Sequence, residues 1–172
     1  MESILVFIVS IALVIISVVT MTMNMMKSTA QLSSTLKAVE QKASVVQRTD
    51  IVAISNQSYQ GGILHLTVQN EGQVDLNDFN RWDVIAEEQD GSSHYLDYSS
   101  SYPPGITQWA VRGIYVAPDV PEAFDLNILN PGEQLVVGLS PDGIIENGET
   151  IKITLSTGDG VTSQCYITNQ VP

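Results

Sequence analysis

A single cysteine, Cys165, occurs among the 172 residues, so no internal disulfide can staple the chain and its stability has to come from packing. On a predicted terminal strand that thiol serves as a small buried apolar side chain. Basic residues are scarce as well: seven Lys and Arg stand against nineteen Asp and Glu, a formal net charge of −12. Lys27, Lys37, Lys42 and Arg48 lie before residue 50, which leaves Arg81, Arg112 and Lys152 to face sixteen acidic side chains in residues 51–172. So acidic a surface keeps a domain soluble and repels polyanions, which argues against a nucleic-acid partner and against binding of this half to anionic membrane surfaces. Signatures of catalysis are missing: no Gly-x-x-x-x-Gly-Lys loop, no Gly-x-Ser-x-Gly elbow and no zinc-type Cys/His spacing occurs. The two histidines, His65 and His94, fall on predicted strands, where packing or solvent exposure is expected in place of catalysis. Neither an enzymatic activity nor a cofactor is expected.

What the chain does have is a long apolar start. From Ile4 to Met26 no side chain is charged, and a helix rising about 1.5 Å per residue would cross a hydrocarbon core of about 30 Å with that segment. A secretory signal would show a basic start, a shorter apolar core and a small-residue cleavage site, and this run has none of them. Ser10, Ser17, Thr20, Thr22 and Asn24 interrupt it, and their short polar side chains can bond back to a preceding carbonyl or to a neighbouring helix. Beyond it, Leu32, Leu36, Val39, Ala43 and Val46 are spaced 4, 3, 4, 3, a heptad seam on an otherwise polar face. One helix from about Ser3 to Arg48 would be about 70 Å long. Apolar all round at one end and amphipathic at the other, it suits burial among many copies of itself. A stalk or dimeric coiled coil in a membrane-anchored protein is the alternative.

After Asp50 the periodicity changes to two. Strands are expected at Ile51–Ala53, Ile63–Val68, Trp82–Ala86, His94–Tyr98, Gln108–Val111, Gln134–Leu139, Ile151–Leu155 and Ser163–Ile167. Turn signals separate them, among them Ser58-Tyr59-Gln60-Gly61-Gly62, Asn70-Glu71-Gly72, Asn130-Pro131-Gly132 and Gly158-Asp159-Gly160. The expected fold class is therefore α+β: a long N-terminal hydrophobic α-helix (1–49) followed by an immunoglobulin-like antiparallel β-sandwich (50–172). About 120 residues after the helix suffice for one compact domain and not for two. Asp142, Glu146 and Glu149 concentrate oxygen ligands in one loop without EF-hand spacing, so a solvated turn is expected there, with a calcium site as the alternative. Asn56-Gln57-Ser58 is a glycosylation sequon near the helix–domain junction, which makes Asn56 a candidate acceptor.

Leu66-Thr67-Val68-Gln69-Asn70-Glu71-Gly72, followed later by Leu129-Asn130-Pro131-Gly132-Glu133 and a hydrophobic strand, resemble elements of archaellin and archaeal pilin β-domains. Each piece alone has a plain backbone explanation, since Asn and Gly accept left-handed turns and Pro fixes φ. With the helix, the resemblance spans essentially the whole chain. It implies a structural subunit of a cell-surface helical filament, an archaellum for swimming or for adhesion, with helices in the core, β-domains outside and a cytosolic ATPase motor and platform as assembly machinery. The core-forming side chains would then be Ile4, Leu5, Phe7, Ile8, Ile11, Val14, Ile15 and Val18, continuing through Leu32, Leu36, Val39, Ala43 and Val46. Such subunits sit in the membrane before they assemble into a homopolymer outside the cell. The alternatives are an adhesive type IV pilin or a membrane-anchored, stator-like accessory β-sandwich.

Applied literally, the positive-inside tendency would leave the C-terminal half in the cytoplasm, because every basic residue follows the span. Removal of a basic leader just before the helix, as in type IV pilins and archaellins, resolves this; Met1 fits an initiator equally well. Glu2 suits the positive end of a helix or the α-amino group of a neighbouring subunit. Bacterial pilins carry a carboxylate at the fifth mature position, which is Leu5 here. Other departures from many archaellins are Met1 itself, the run of Met21, Met23, Met25 and Met26, and a Pro-containing insertion around Tyr102–Pro121.

Overall fold

With no glycine or proline before Gly61, nothing in the first part of the chain breaks a helix. The computed structural model describes residues 2–60, 62–118, 120–141 and 148–168, without the side chains of residue 2 and residues 55–60. In it α1 (Glu2–Arg48) is one uninterrupted helix of 47 residues, about 70 Å long at the standard rise. It stops where the sequence changes character: the Thr49 hydroxyl donates to the Val45 carbonyl (2.9 Å), and the β-branched run Ile51-Val52-Ala53-Ile54 begins. Backbone contacts divide the chain into two compact units, Met1–Ala43 and Ser44–Pro172.

The second unit holds nine strands among its described residues: β1 (Ile51–Gln60), β2 (Ile63–Asn70), β3 (Asp83–Glu87), β4 (Ser93–Ser99), β5 (Gln108–Ala117), β6 (Val120–Pro121), β7 (Gln134–Ser140), β8 (Thr150–Ser156) and β9 (Thr162–Thr168). They pair in the order β1-β2-β7-β5-β4-β3-β8-β9, with β6 on β5. All pairings are antiparallel except β4 with β5, where Asp97, Tyr98 and Ser99 run parallel to Gln108, Trp109 and Ala110. That short parallel seam joins the β1-β2-β7-β5 layer to the β4-β3-β8-β9 layer. At the far side the Ala53 N–H donates to the Ser163 hydroxyl of β9 (2.9 Å), so the sandwich comes close to a barrel.

Alternation places the core. Ile151, Ile153 and Leu155 of β8, Val84 and Ala86 of β3, and Leu135, Val137 and Leu139 of β7 all point inward and are fully buried. Cys165 of β9 joins them, and burial pushes its thiol up to about 11. Trp109 packs edge-on against Tyr98 (5.0 Å between ring centroids), as Phe79 does against Trp82 (5.2 Å).

One expectation needs correction. Ser58, Tyr59 and Gln60, expected in a turn, belong to β1, whose pairing with β2 runs from Ile51 opposite Asn70 to Gln60 opposite Ile63. The segment Tyr102–Pro121 supplies β5, a central strand that begins at Gln108 as expected, runs on past Val111 to Ala117 and is hydrogen-bonded to both β7 and β4. Its leading loop covers one face of the sheet: the Tyr102 hydroxyl lies 2.7 Å from His65 Nε2, and its ring passes over Gly138, where a Cβ would approach Cε2 to 2.8 Å. That cover explains why β2 is buried on both faces, His65 and Thr67 included. Sequence reading also passed over the short β6 and a 3-10 turn at Phe79–Arg81.

Candidate functional site

The first functional element is the surface of α1. Every apolar side chain from Ile4 to Val19 is exposed, Ile4, Leu5, Phe7, Ile8, Ile11, Val14, Ile15 and Val18 among them, and so are Leu32, Leu36, Val39, Ala43 and Val46. The helix contains an 18-residue window of mean hydropathy 3.1 with nothing buried, long and apolar enough to cross a membrane. The hydroxyl groups that interrupt the apolar run are satisfied within the helix: Ser10 donates to the Val6 carbonyl (2.9 Å), Ser17 to Leu13 (2.8 Å), Thr20 to Ile16 (2.7 Å) and Thr22 to Val18 (2.8 Å). A surface of this kind is unstable in water and stable in lipid or among other helices.

The second element lies inside the Ser44–Pro172 unit, where the last turn of α1 meets the sheets. The Gln73 N–H donates to the Arg48 carbonyl (2.8 Å), while Glu71 and Gly72 both donate to the Asp50 carbonyl (3.0 and 3.1 Å). The first of these bonds satisfies a carbonyl that a helix end otherwise leaves open. Asn70, fully buried at the end of β2, organises the turn: its amide donates to the carbonyls of Val74 and Leu129 (2.9 Å each) and its Oδ1 accepts from the Gly72 N–H (3.0 Å). With two carbonyls on one side and an N–H on the other, the amide orientation is fixed by its partners. The Asn70 backbone donates to the Glu133 carbonyl (3.0 Å) and accepts from the Gly132 N–H (2.7 Å). The buried Glu133 carboxylate in turn accepts from the Asn130 N–H (2.8 Å).

Thus the two short motifs, some 60 residues apart in sequence, meet in one knot. The turn chemistry expected of them is only partly right. Gly132 has φ +88°, as a left-handed turn requires, but neither Asn70 nor Gly72 is in that region. Asn70 works through its side chain. Gly72 is needed for space, since a Cβ there would come within 2.6 Å of both the Arg48 carbonyl and the Asp50 nitrogen.

Elsewhere the domain surface is acidic with little compensation. Among the described residues the ion pairs are Lys152–Glu87 (3.1 Å) and His94–Glu88 (3.4 Å). No three His, Cys, Asp or Glu side chains gather as metal ligands among those residues. Of the candidate calcium loop, Asp142 and Glu146 lie outside the described residues and Glu149 is half-buried. The Asn56 and Glu2 side chains also lie outside them.

No protein-family model matches the chain, and no curated protein does. Solved structures do match, and what they share with this chain is the fold. The archaeal flagellum of Methanospirillum hungatei strain JF1 aligns with 94% of this chain and 91% of its own, at 16% identity and a TM-score of 0.53. Archaeal flagellin FlaB1 from Methanocaldococcus jannaschii aligns with 72% of this chain and 91% of its own (12% identity, TM-score 0.53). The archaellum periplasmic stator protein FlaG from Sulfolobus acidocaldarius aligns with 69% of this chain and 99% of its own (15% identity, TM-score 0.53). The second unit alone can account for shares of 69 and 72%, whereas 94% has to include α1. The fold is archaellin-like.

Proposed function

We propose that the chain is a non-enzymatic structural subunit of an archaellum-type filament, held in the membrane by α1 before assembly and buried through α1 among copies of itself afterwards. The exposed, uncharged surface from Ile4 to Met26 carries this reading. Burying each large side chain is worth about 1.5–3 kcal/mol, so the Ile4–Val19 face dominates cohesion while the acidic outer domains repel one another. The heptad positions Leu32 to Val46 extend the same packing towards the sandwich, where the Asn70 knot holds the end of the helix. In this reading the β-domain faces the cell exterior, residues 1–49 form the core and 50–172 the outer layer. An assembly ATPase with its membrane platform supplies the subunits and any torque.

A second reading has its own observation. The stator FlaG aligns over 99% of its length, which favours a membrane-tethered accessory β-sandwich that works in few copies. Mass spectrometry of filaments sheared from cells separates the two. The subunit reading expects this chain as a dominant species in the sheared fraction; its confinement to the membrane fraction, with filaments made of other chains, refutes that reading in favour of the accessory one.

A further inference from the structure

Beyond α1, the domain surface carries a second apolar feature, on the turn after β6. Phe124 is 91% exposed, yet it does not sit on a slack loop. The Glu122 carboxylate accepts from the N–H groups of Ala123, Phe124 and Asp125 (2.9, 2.7 and 3.4 Å). The Glu122 N–H donates to the Ile114 carbonyl of β5 (2.8 Å), and Ile128 closes the turn onto the Asp125 carbonyl (2.9 Å). These backbone bonds hold the Glu122 carboxyl below the usual carboxylate range. An aromatic ring is therefore held out in water on a tightly bonded turn, with Leu126 exposed beside it.

Alongside lies a cleft of about 390 Å³ whose lining includes Tyr98, Val111, Arg112, Ile114 and Tyr115, together with Glu122 and Leu126 of the turn itself. Arg112 is one of three basic residues beyond residue 50 and is exposed, and no ion pair engages it among the described residues. The residue after Phe124 is Asp125. The ring finds aromatic and aliphatic side chains in this mixed cleft and the carboxylate finds a cation, in a domain otherwise short of positive charge.

We propose that Phe124 and Asp125 of one copy dock into the Tyr98–Arg112–Tyr115 cleft of the next copy, the ring against its tyrosine and aliphatic side chains and the carboxylate on the Arg112 guanidinium. Made head-to-tail, such a contact propagates along a filament. The inference rests on the self-assembly reading for the presence of a second copy, and it adds a contact between outer domains that α1 does not supply. The charge pair also gives the acidic domains an attractive register against their general repulsion.

Cysteine cross-linking in cells tests this with the full chain. Ser100→Cys lines the cleft and Ala123→Cys sits beside the ring; co-expressed, they should give a mixed disulfide dimer on mild oxidation. Adding Phe124→Ser should lower its yield roughly tenfold or more. Arg112→Asp should lower it too, and pairing that change with Asp125→Arg should restore it. Absence of the mixed dimer, indifference of its yield to Phe124→Ser, or cross-linking of Ala123→Cys only to itself would each overturn the contact. Tryptophan fluorescence of Trp82 and Trp109 checks that every variant is folded. Filament yield from the same cells reads the other claim: filaments without the cross-link overturn the docking alone, while the cross-link without filaments supports it and counts against the filament reading.

Discussion

Replacing Asn70 by alanine removes three side-chain hydrogen bonds at once, to Val74, Leu129 and Gly72. Two of the stranded groups keep another partner: the Leu129 carbonyl still accepts from Leu76, and the Gly72 N–H still donates to Asp50. At about 1 kcal/mol of net stability per hydrogen bond, the loss should be about 3 kcal/mol, with the stranded Val74 carbonyl adding to it. For a domain of this size that corresponds to a fall in Tm of about 10 °C. Asn70→Asp should be worse, because a carboxylate keeps the shape yet turns lone pairs towards two carbonyls inside the protein. Urea unfolding of the detergent-solubilised chain, followed by Trp82 and Trp109 fluorescence, measures both variants. A loss below about 0.5 kcal/mol for either would refute the claim that Asn70 holds the knot together, since that is the range of ordinary surface substitutions.

Four further outcomes follow from the same geometry. Ile11→Asp or Val14→Asp puts a carboxylate where neither lipid nor a helix bundle solvates it, at about 2.5–3.5 kcal/mol on the insertion scale; shearing should yield no filaments while the β-domain stays folded, and normal filament yield would mean this face is not buried. Inserting about six Gly/Ser residues after Arg48 should leave the sandwich folded but soften or abolish filaments, read by electron microscopy and swimming, because a flexible linker no longer fixes the domain on its helix. Gly138→Ala should destabilise the fold by about 1–3 kcal/mol and displace the Tyr102 loop, seen as lost protection from proteolysis in residues 100–106; unchanged stability would mean the loop does not cover β7. The Glu122 carboxyl is held low by the Phe124 N–H and its neighbours, so its contribution is present above the unfolded carboxylate pKa and lost as pH falls through the lower folded one. Hydrogen exchange at Ala123, Phe124 and Asp125 should therefore speed up, relative to the intrinsic rate, only below the usual carboxylate range, and loosening already at pH 5 would refute it.

What the sequence determined by itself is whatever depends on local pattern. An apolar run without glycine or proline can only be a helix, and a surface of that composition demands lipid or other helices, so α1 and its need for burial were legible without coordinates. Strict alternation at Ile151, Ile153 and Leu155 marked β8 and its inward face before any partner strand was known. The motif at Asn70-Glu71-Gly72 was visible as a motif, but its reason was not. Left-handed turn geometry is the local explanation, whereas the Asn70 side chain reaches Leu129, and Gly72 is small because Arg48 and Asp50 pass beside it. Tertiary structure likewise decided that the strand expected at Gln108–Val111 is central, through a parallel pairing that no local period announces, and that the loop before it covers the sheet. It also decided that Phe124 stands out in water next to a cleft lined by β4, β5 and the turn after β6. Periodicity and propensity act over a few residues, while these features depend on which distant backbone lies alongside, and that is fixed only when the sandwich closes.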